Sequence, residues 1–305
     1  MSGDKVVLVV LNWNKPDDTV ECLESCRQID YGNFEIVVVD NHSTDDSARI
    51  LKARFPDLQL IVNAENVGYA GGNNVGMRAA LERGADFVFL LNNDIVVDRS
   101  VLKELVQVAK DHPSAGMLAP KVLYYDDRSL INSMGTTMDW LRLRPRLGEC
   151  NQKDGGPDTA PLRKDILVGC ALLVRRGVIE RIGMIDEEFF IFHEEADWCF
   201  RNLKAGSENL VVPRARIYHK ASKTMREFSL LTHYYSSRNF LYMAMKNAGA
   251  WQWTQVSAGL VFLSLKNLKL LTAGSLGDKK MARAFFLGVA DYFSRRMGKC
   301  TREFI

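Results

Sequence analysis

The sequence predicts an α/β protein: a Rossmann-like, mostly parallel sheet flanked by helices, with a helical C-terminal extension. Three observations carry this. Short apolar runs rich in Val, Ile and Leu alternate with amphipathic segments of helical length, the pattern of strands buried on both faces of a sheet. Each early run ends abruptly in polar side chains that a core would reject, as at Asn92-Asn93-Asp94 after Phe87-Val88-Phe89-Leu90-Leu91. After Ser229 the strand pattern gives way to long helical segments.

Val6 to Leu11 is the first strand and ends at Asn12-Trp13-Asn14; a helix capped by Asp17 or Asp18 follows to about Arg27. Glu35 to Val39 is the second, ending at Asp40-Asn41-His42-Ser43-Thr44-Asp45, with Ser43 or Thr44 placed to cap a helix from Asp46 to Phe55. Leu58 to Val62 is the third. Asn66-Val67-Gly68-Tyr69-Ala70-Gly71-Gly72-Asn73-Asn74 then reads as a glycine-rich loop whose backbone approaches an anion before a helix from Asn74 to Arg83. Its spacing matches neither the dinucleotide fingerprint nor a P-loop. Four strand ends thus carry polar residues on one edge, where open α/β sheets bind ligands. A carboxylate such as Asp94 there suits a hard divalent cation whose shell a diphosphate completes, whereas the plain alternative is a polar turn.

Composition bounds the rest. The 305 residues are 47% hydrophobic and 25% charged, an ordinary globular balance. A net charge of +3 gives no footprint for nucleic acid. The six cysteines, Cys22, Cys26, Cys150, Cys170, Cys199 and Cys300, form no Cys-x-x-Cys pair, which points to reduced thiols and not to disulfides or zinc. The N-terminus has no signal-peptide pattern and no stretch is apolar for long enough to be a clear membrane span, so a cytoplasmic location is expected.

The Val10-Leu11-Asn12-Trp13-Asn14, Val38 to Asp45, Asn66 to Asn74 and Leu90 to Asp94 segments resemble, in order, the landmarks of family 2 inverting glycosyltransferases, and most of all their bacterial rhamnosyltransferase-like branch. The resemblance implies a GT-A fold. It implies that Asp40 binds the nucleobase, with Asn12, Asn14, Asn66, Gly68, Gly71, Asn73, Asn92 and Asn93 around the nucleotide. Asn92-Asn93-Asp94 stands in the place of an Asp-x-Asp metal motif, which leaves Asp94 as the metal ligand for Mn²⁺ or Mg²⁺.

Further along, a helix from Ser100 to His112 precedes a strand from Met117 to Tyr125. Residues 126–165 are rich in Gly, Pro and charge, a solvated loop or a mobile lid over the donor. Ile166 to Val174 is a buried strand interrupted by Gly169; the resemblance places Gly169 and Cys170 near the donor sugar. The aromatic run Phe189 to His193 delivers Glu194, Glu195 and Asp197 together. Such a cluster is either a helix N-terminus in solvent or a set of tuned carboxylates. By the resemblance Glu195 is the catalytic base, with Glu194 and Asp197 as rivals and Trp198 and Arg201 beside donor or acceptor. His219 ends a strand; alone it reads as structural, but in this family it completes the metal shell with Asp94. A helix from Ser229 to Asn247 holds Arg238 and Asn239, an element that also matches, and Arg238 is a donor or acceptor contact.

Trp251, Trp253, the apolar stretch Val256 to Leu265 and the lysines after it fit either an interfacial helix at a membrane surface or a helix packed on this domain or a second subunit. Basic residues among aromatics in the tail favour anionic lipid, and hence peripheral attachment to the inner face of the cell membrane. The expected organisation is a catalytic domain over 1–225, with a nucleotide-binding half over 1–97 and an acceptor half over 98–225, then the helical extension over 226–305. The expected activity is metal-dependent, inverting transfer of a sugar, rhamnose from dTDP-rhamnose foremost, to a hydroxyl of a cell-surface polysaccharide or lipid-linked precursor. The rivals are a sugar nucleotidyltransferase, which would carry a basic Gly-rich loop after the first strand, and a non-catalytic nucleotide-sugar-binding or membrane scaffold protein.

Overall fold

The computed structural model describes residues 3–146, 148–156, 160–220 and 229–302. The domain boundary expected at 225/226 lies outside these residues. Strands β1 (Val6–Asn12), β2 (Phe34–Asp40), β3 (Gln59–Val62) and β4 (Phe87–Asn92) run parallel in the order β3-β2-β1-β4. Their connections are α1 (Pro16–Cys26), α2 (Ser47–Arg54) and α3 (Gly68–Glu82). Alternation along β1 sends Val6, Leu8 and Val10 to the face covered by α1 and α2, and Val7 and Val9 to the face covered by α3. Buried on both sides, each such Val or Leu contributes about 1.5–3 kcal/mol of hydrophobic stabilisation.

Beyond β4 the sheet is mixed. Strand β5 (Ile95–Val97) leads to α4 (Val101–Asp111) and β6 (Ala115–Tyr124). The segment expected to be a solvated loop or lid instead adds β7 (Ile131–Ser133) to β6, a hairpin of β8 (Thr137–Asp139) and β9 (Arg144–Arg146), and β10 (Leu162–Arg163) at the sheet edge. It is tied down by an ion pair between the buried Lys121 ammonium and Asp154 at 2.7 Å. The strand expected from Ile166 begins only at Ala171: β11 (Ala171–Arg175) is antiparallel to both β4 and β6, with Gly169 and Cys170 in the turn that enters it. After α5 (Arg176–Ile182) come a 3₁₀ turn (Glu187–Phe189), α6 (Glu194–Lys204) and the long β12 (Glu208–His219), which pairs with β6, β5 and β10.

The C-terminal part contains α7 (Ser229–Asn247), α8 (Ala250–Ala273) and α9 (Leu276–Phe293). Phe240 and Met243 of α7 share one apolar cluster with Phe189 and with Ala196 of α6, so the extension is packed onto the elements beside it. Against the sequence expectation, α8 is long and apolar enough to cross a membrane by length and composition.

Two helix starts also differ from expectation. Helix α1 opens on Pro16, with Asp17 and Asp18 inside its first turn and no side-chain cap. Helix α3 begins at Gly68, so the supposed glycine loop is itself helical. A β-carbon at Gly72 would strike Leu11 and one at Gly76 would strike Val9: these glycines let α3 lie close on β1.

Candidate active site

Register sets the first part of the site. Asn12 of β1 pairs with Asp40 of β2, and Leu11 pairs with Asn92 of β4, so three polar strand ends share one edge. Asp40 is 1% exposed and its carboxylate accepts from Asn12 Nδ2 at 2.6 Å, Ser43 N at 2.9 Å and Ser43 Oγ at 2.6 Å. Asn12 in turn accepts from Thr19 Oγ1, and Asn93 donates to Thr19 Oγ1 at 3.0 Å. Asn14 accepts from Thr44 N at 2.8 Å. On the far side Asn41 donates to Asn66 Oδ1 and to the Gly68 carbonyl, and accepts from Asn63 and Val67 N. Asp40 therefore organises the floor of the cleft and does not project into it. Ser43, expected to cap a helix, closes this network instead.

The second part is built by β5 and β12. Their pairing sets His219 opposite Ile95, next to Asp94, and His219 Nε2 lies 3.4 Å from Asp94 Oδ1. Lys220 fixes the strand end: its backbone N–H donates to the Asp94 carbonyl, and its ammonium pairs with Asp18 at 2.5 Å and Glu21 at 2.6 Å. Among the described residues, His219 Nδ1 and Asn92 Oδ1 are buried without a hydrogen-bond partner. The orphaned Asn92 amide oxygen, two residues before Asp94, together with the carboxylate–imidazole pair fits a divalent ion. No group of three or more His, Cys, Asp or Glu side chains gathers for a metal among the described residues, so the rest of a shell falls to ligand and water.

The third part is the turn before α6. Phe190, Phe192 and His193 all take positive φ, at 63°, 71° and 70°, a costly conformation that the surroundings must hold. Asn239 of α7 holds it by donating to the carbonyls of Phe189, Ile191 and Phe192 at 2.8, 2.8 and 3.0 Å. Arg238 adds a bond to the Phe189 carbonyl at 3.2 Å. From α3, Ala70 N donates to the Phe190 carbonyl at 3.2 Å. Gly68 sits against the same turn with φ +77°, where any β-carbon would collide with Phe190. His193, pushed down to about 4 by burial, stays neutral against the Phe240 ring.

This turn delivers Glu194 and Glu195. Burial raises the carboxyl pKa of both, and in Glu194 the charge of Glu195 raises it further. Backbone N–H groups of Glu195, Ala196 and His193 draw Glu195 partly back, while Glu194 has only its own backbone N–H to do so and its Oε2 finds no hydrogen-bond partner among the described residues. The proton therefore belongs on Glu194, and Glu195 ionises first. Beside Glu195 lies Gly169, whose carbonyl accepts from the Tyr69 hydroxyl at 2.6 Å. Burial raises the Cys170 thiol well above its usual range, and the charges of Asp94 and Glu195 both add to this. Asn92 N donates to the Cys170 carbonyl at 2.9 Å and Gly169 lies against the Glu195 side chain, so the Gly169–Cys170 turn joins the Asn92 strand end to Glu195.

The remaining expected contacts lie elsewhere. Asp197 is fully buried, paired with Arg201 at 2.8 Å and Lys246 at 3.0 Å and accepting from Asn247 Nδ2 at 2.8 Å, so both of its oxygens are engaged within the protein. Trp198 is sealed in the core with its indole N–H on the Gly183 carbonyl. Arg201 braces the carbonyls of Ile182 and Met184. Arg238 is also fully buried, held by the carbonyls of Gly298 and Phe189. Of the glycines, Gly68 and Gly71 are buried within α3, and a β-carbon at Gly71 would press on Val67. Asn73 is buried in α3 and donates to the Tyr69 carbonyl. Thr19, Asn41, Tyr69 and Asn239 are the organising residues that sequence reasoning passed over as site residues. Asn41, Tyr69 and Asn239 each lay inside a segment that matched the family, whereas Thr19 carried no local signal.

The family 2 glycosyl transferase profile matches residues 7–182, over half of the chain, including the polar ends of β1, β2 and β4. The chain belongs to glycosyl transferase family 2. This family 2 glycosyltransferase is 25% identical over 253 residues to the dTDP-rhamnosyl transferase RfbF of Shigella flexneri, covering 80% of this chain and 81% of that protein. It is 27% identical over 240 residues to the N-acetylglucosaminyl-diphospho-decaprenol L-rhamnosyltransferase of Mycobacterium tuberculosis, covering 71% of this chain and 76% of the relative. In fold it is similar to the mannosyltransferase PcManGT of Pyrobaculum calidifontis, solved with GDP-Man and Mn²⁺: the TM-score is 0.62 over 96% of this chain and 88% of the other, at 16% identity. The expected GT-A architecture and the glycosyltransferase class are thereby established.

Proposed function

We propose that this glycosyltransferase moves a sugar, with inversion, from a nucleotide-diphospho-sugar to a hydroxyl of a cell-surface polysaccharide or lipid-linked precursor, dTDP-rhamnose being the leading donor. The observation that carries the reading is the Asp94–His219 pair at one sheet edge, joined to Glu195 by the Gly169–Cys170 turn, which bonds Asn92 N on one side and packs on Glu195 on the other. The choice of sugar is supported by relatives named for rhamnosyl transfer, and the lipid-linked acceptor by the relative named for a decaprenol substrate.

Glu195 acts as general base. It takes the proton of the acceptor hydroxyl as that oxygen bonds the anomeric carbon from the face opposite the diphosphate, whose bond to that carbon breaks. Burial suits it to the task, because a carboxylate with a raised pKa binds the arriving proton more strongly. A divalent ion held by Asp94 and His219, with Asn92 Oδ1 facing the same region, would offset charge growing on the leaving diphosphate. The network of Asn12, Asn14, Asp40, Asn41, Asn66 and Asn93 fixes the nucleotide end. Calorimetric titration with dTDP-rhamnose, UDP-sugars and GDP-sugars, with and without Mn²⁺, tests the reading. Metal-enhanced binding of one donor supports it, and no binding of any donor under any condition overturns it.

A further inference from the structure

Helix α8 carries a feature the reaction does not use. Trp251, Val261, Phe262, Leu265 and Leu268 recur at helical spacing on one side and are 53% to 72% exposed. The opposite side is packed: Val256 is fully buried, and Gly259 lies so close under the Leu141 carbonyl of the β8–β9 hairpin that a β-carbon would collide with it. Between helix and hairpin runs a groove of about 550 Å³, with Leu141, Phe262 and Leu263 on its apolar side and Arg142, Arg144 and Lys266 on its basic side. Arg142 shares Asp139 with Arg146, whereas Arg144 and Lys266 form no ion pair among the described residues. Helix α8 itself holds Lys266 and Lys269 and no acidic residue.

We propose that this groove and stripe seat the enzyme on an anionic bilayer, with a lipid phosphate between Arg142, Arg144 and Lys266 and the stripe of α8 among the upper acyl chains. The proposal rests on the lipid-linked acceptor reading for its purpose, since such an acceptor brings the reaction to a membrane. Two other arrangements fit less well. A spanning helix is disfavoured because α8 carries Lys266 and Lys269 within it and rests on protein at Val256 and Gly259. A second copy docked by two-fold symmetry would set these cations against the same cations, with no acidic side chain on α8 to receive them. Phosphate headgroups supply the missing charge, and a Trp-bearing apolar stripe edged with lysines matches the layered chemistry of the interface.

Flotation of the full-length protein with vesicles of phosphatidylcholine, alone or mixed with phosphatidylglycerol, tests this. Wild type should float only with the anionic vesicles. Arg144→Glu/Lys266→Glu and Phe262→Ser/Leu265→Ser, all exposed or groove-lining changes outside the catalytic machinery, should lower partitioning. Each lost cation should cost roughly fivefold, and the double charge reversal at least about 25-fold. Glycerol 1-phosphate should not displace the bound protein. Equal flotation with neutral vesicles, undiminished binding of both variants, displacement by glycerol phosphate, or a dimer that Phe262→Ser dissociates would each overturn the proposal. Flotation involves no sugar transfer, so its failure leaves the transferase reading intact, and loss of donor binding would leave this one intact.

Discussion

Glu194 and Glu195 are adjacent in one helical turn, yet their surroundings give them opposite work. Burial raises both, but three backbone donors draw Glu195 back against one for Glu194, and the charge of Glu195 raises Glu194 further. Glu195→Gln should therefore lower kcat by roughly 10²–10⁴-fold while donor affinity stays unchanged, as read by steady-state kinetics beside calorimetry. The acid limb of kcat/KM should fall above the ordinary glutamate pKa of about 4.3, because activity needs the ionised form and the fold holds the proton. Stability carries the same sign. A carboxyl raised in the fold binds its proton more tightly than the unfolded chain does, so stability falls as pH rises from the ordinary pKa through the raised one. Glu194→Gln should remove that loss and raise the neutral-pH Tm by about 2–4 °C for each kcal/mol regained; a lower Tm would mean that Glu194 makes a contact which its charge serves. The sequence made these carboxylates visible as a cluster but could not rank them. The ranking depends on Lys246, which pairs with Asp197, and Asn247, which donates to it, both from some fifty positions away.

The turn between Glu187 and His193 belongs to no single element, and three elements hold it. Helix α3 approaches through Gly68, α7 donates through Arg238 and Asn239, and α6 starts where the turn ends. Asn239→Ala would strip a donor from three carbonyls; that of Phe189 keeps Arg238 and Ile191 N, whereas those of Ile191 and Phe192 would each be about 1–3 kcal/mol worse off, less what water recovers. Its expected signature is a lower Tm with kcat reduced and donor affinity retained, because the turn places Glu195 and not the nucleotide. Gly68→Ala should act in the same direction, since its φ of +77° and the Phe190 contact both exclude a side chain. Unchanged kcat in both variants would show that the turn does not position the base. The glycines of α3 were legible as a requirement for close approach. What they approach was not, because Phe190, Leu11 and Val9 become neighbours only through the fold.

Across the molecule, the parallel half was readable because each strand there is a buried apolar run with a polar end, and short connections leave only a right-handed crossover. The direction of β11 was not readable. An apolar run has no polarity of its own, and the long 126–170 connection permits either sense. That antiparallel insertion carries Gly169 and Cys170 to the same edge as Asp94 and Glu195. The mixed sheet is thus what brings the proposed metal pair and the proposed base within one cleft. Their division of labour is tested most directly by comparing wild type, Asp94→Ala and Glu195→Gln in one assay of donor binding and sugar transfer across a Mn²⁺ titration. Asp94→Ala should lose the metal dependence of donor binding, and Glu195→Gln should keep it while losing transfer. Transfer at the wild-type rate by Glu195→Gln, or Mn²⁺-dependent donor binding unaltered in Asp94→Ala, would contradict the assignment of base and metal pair.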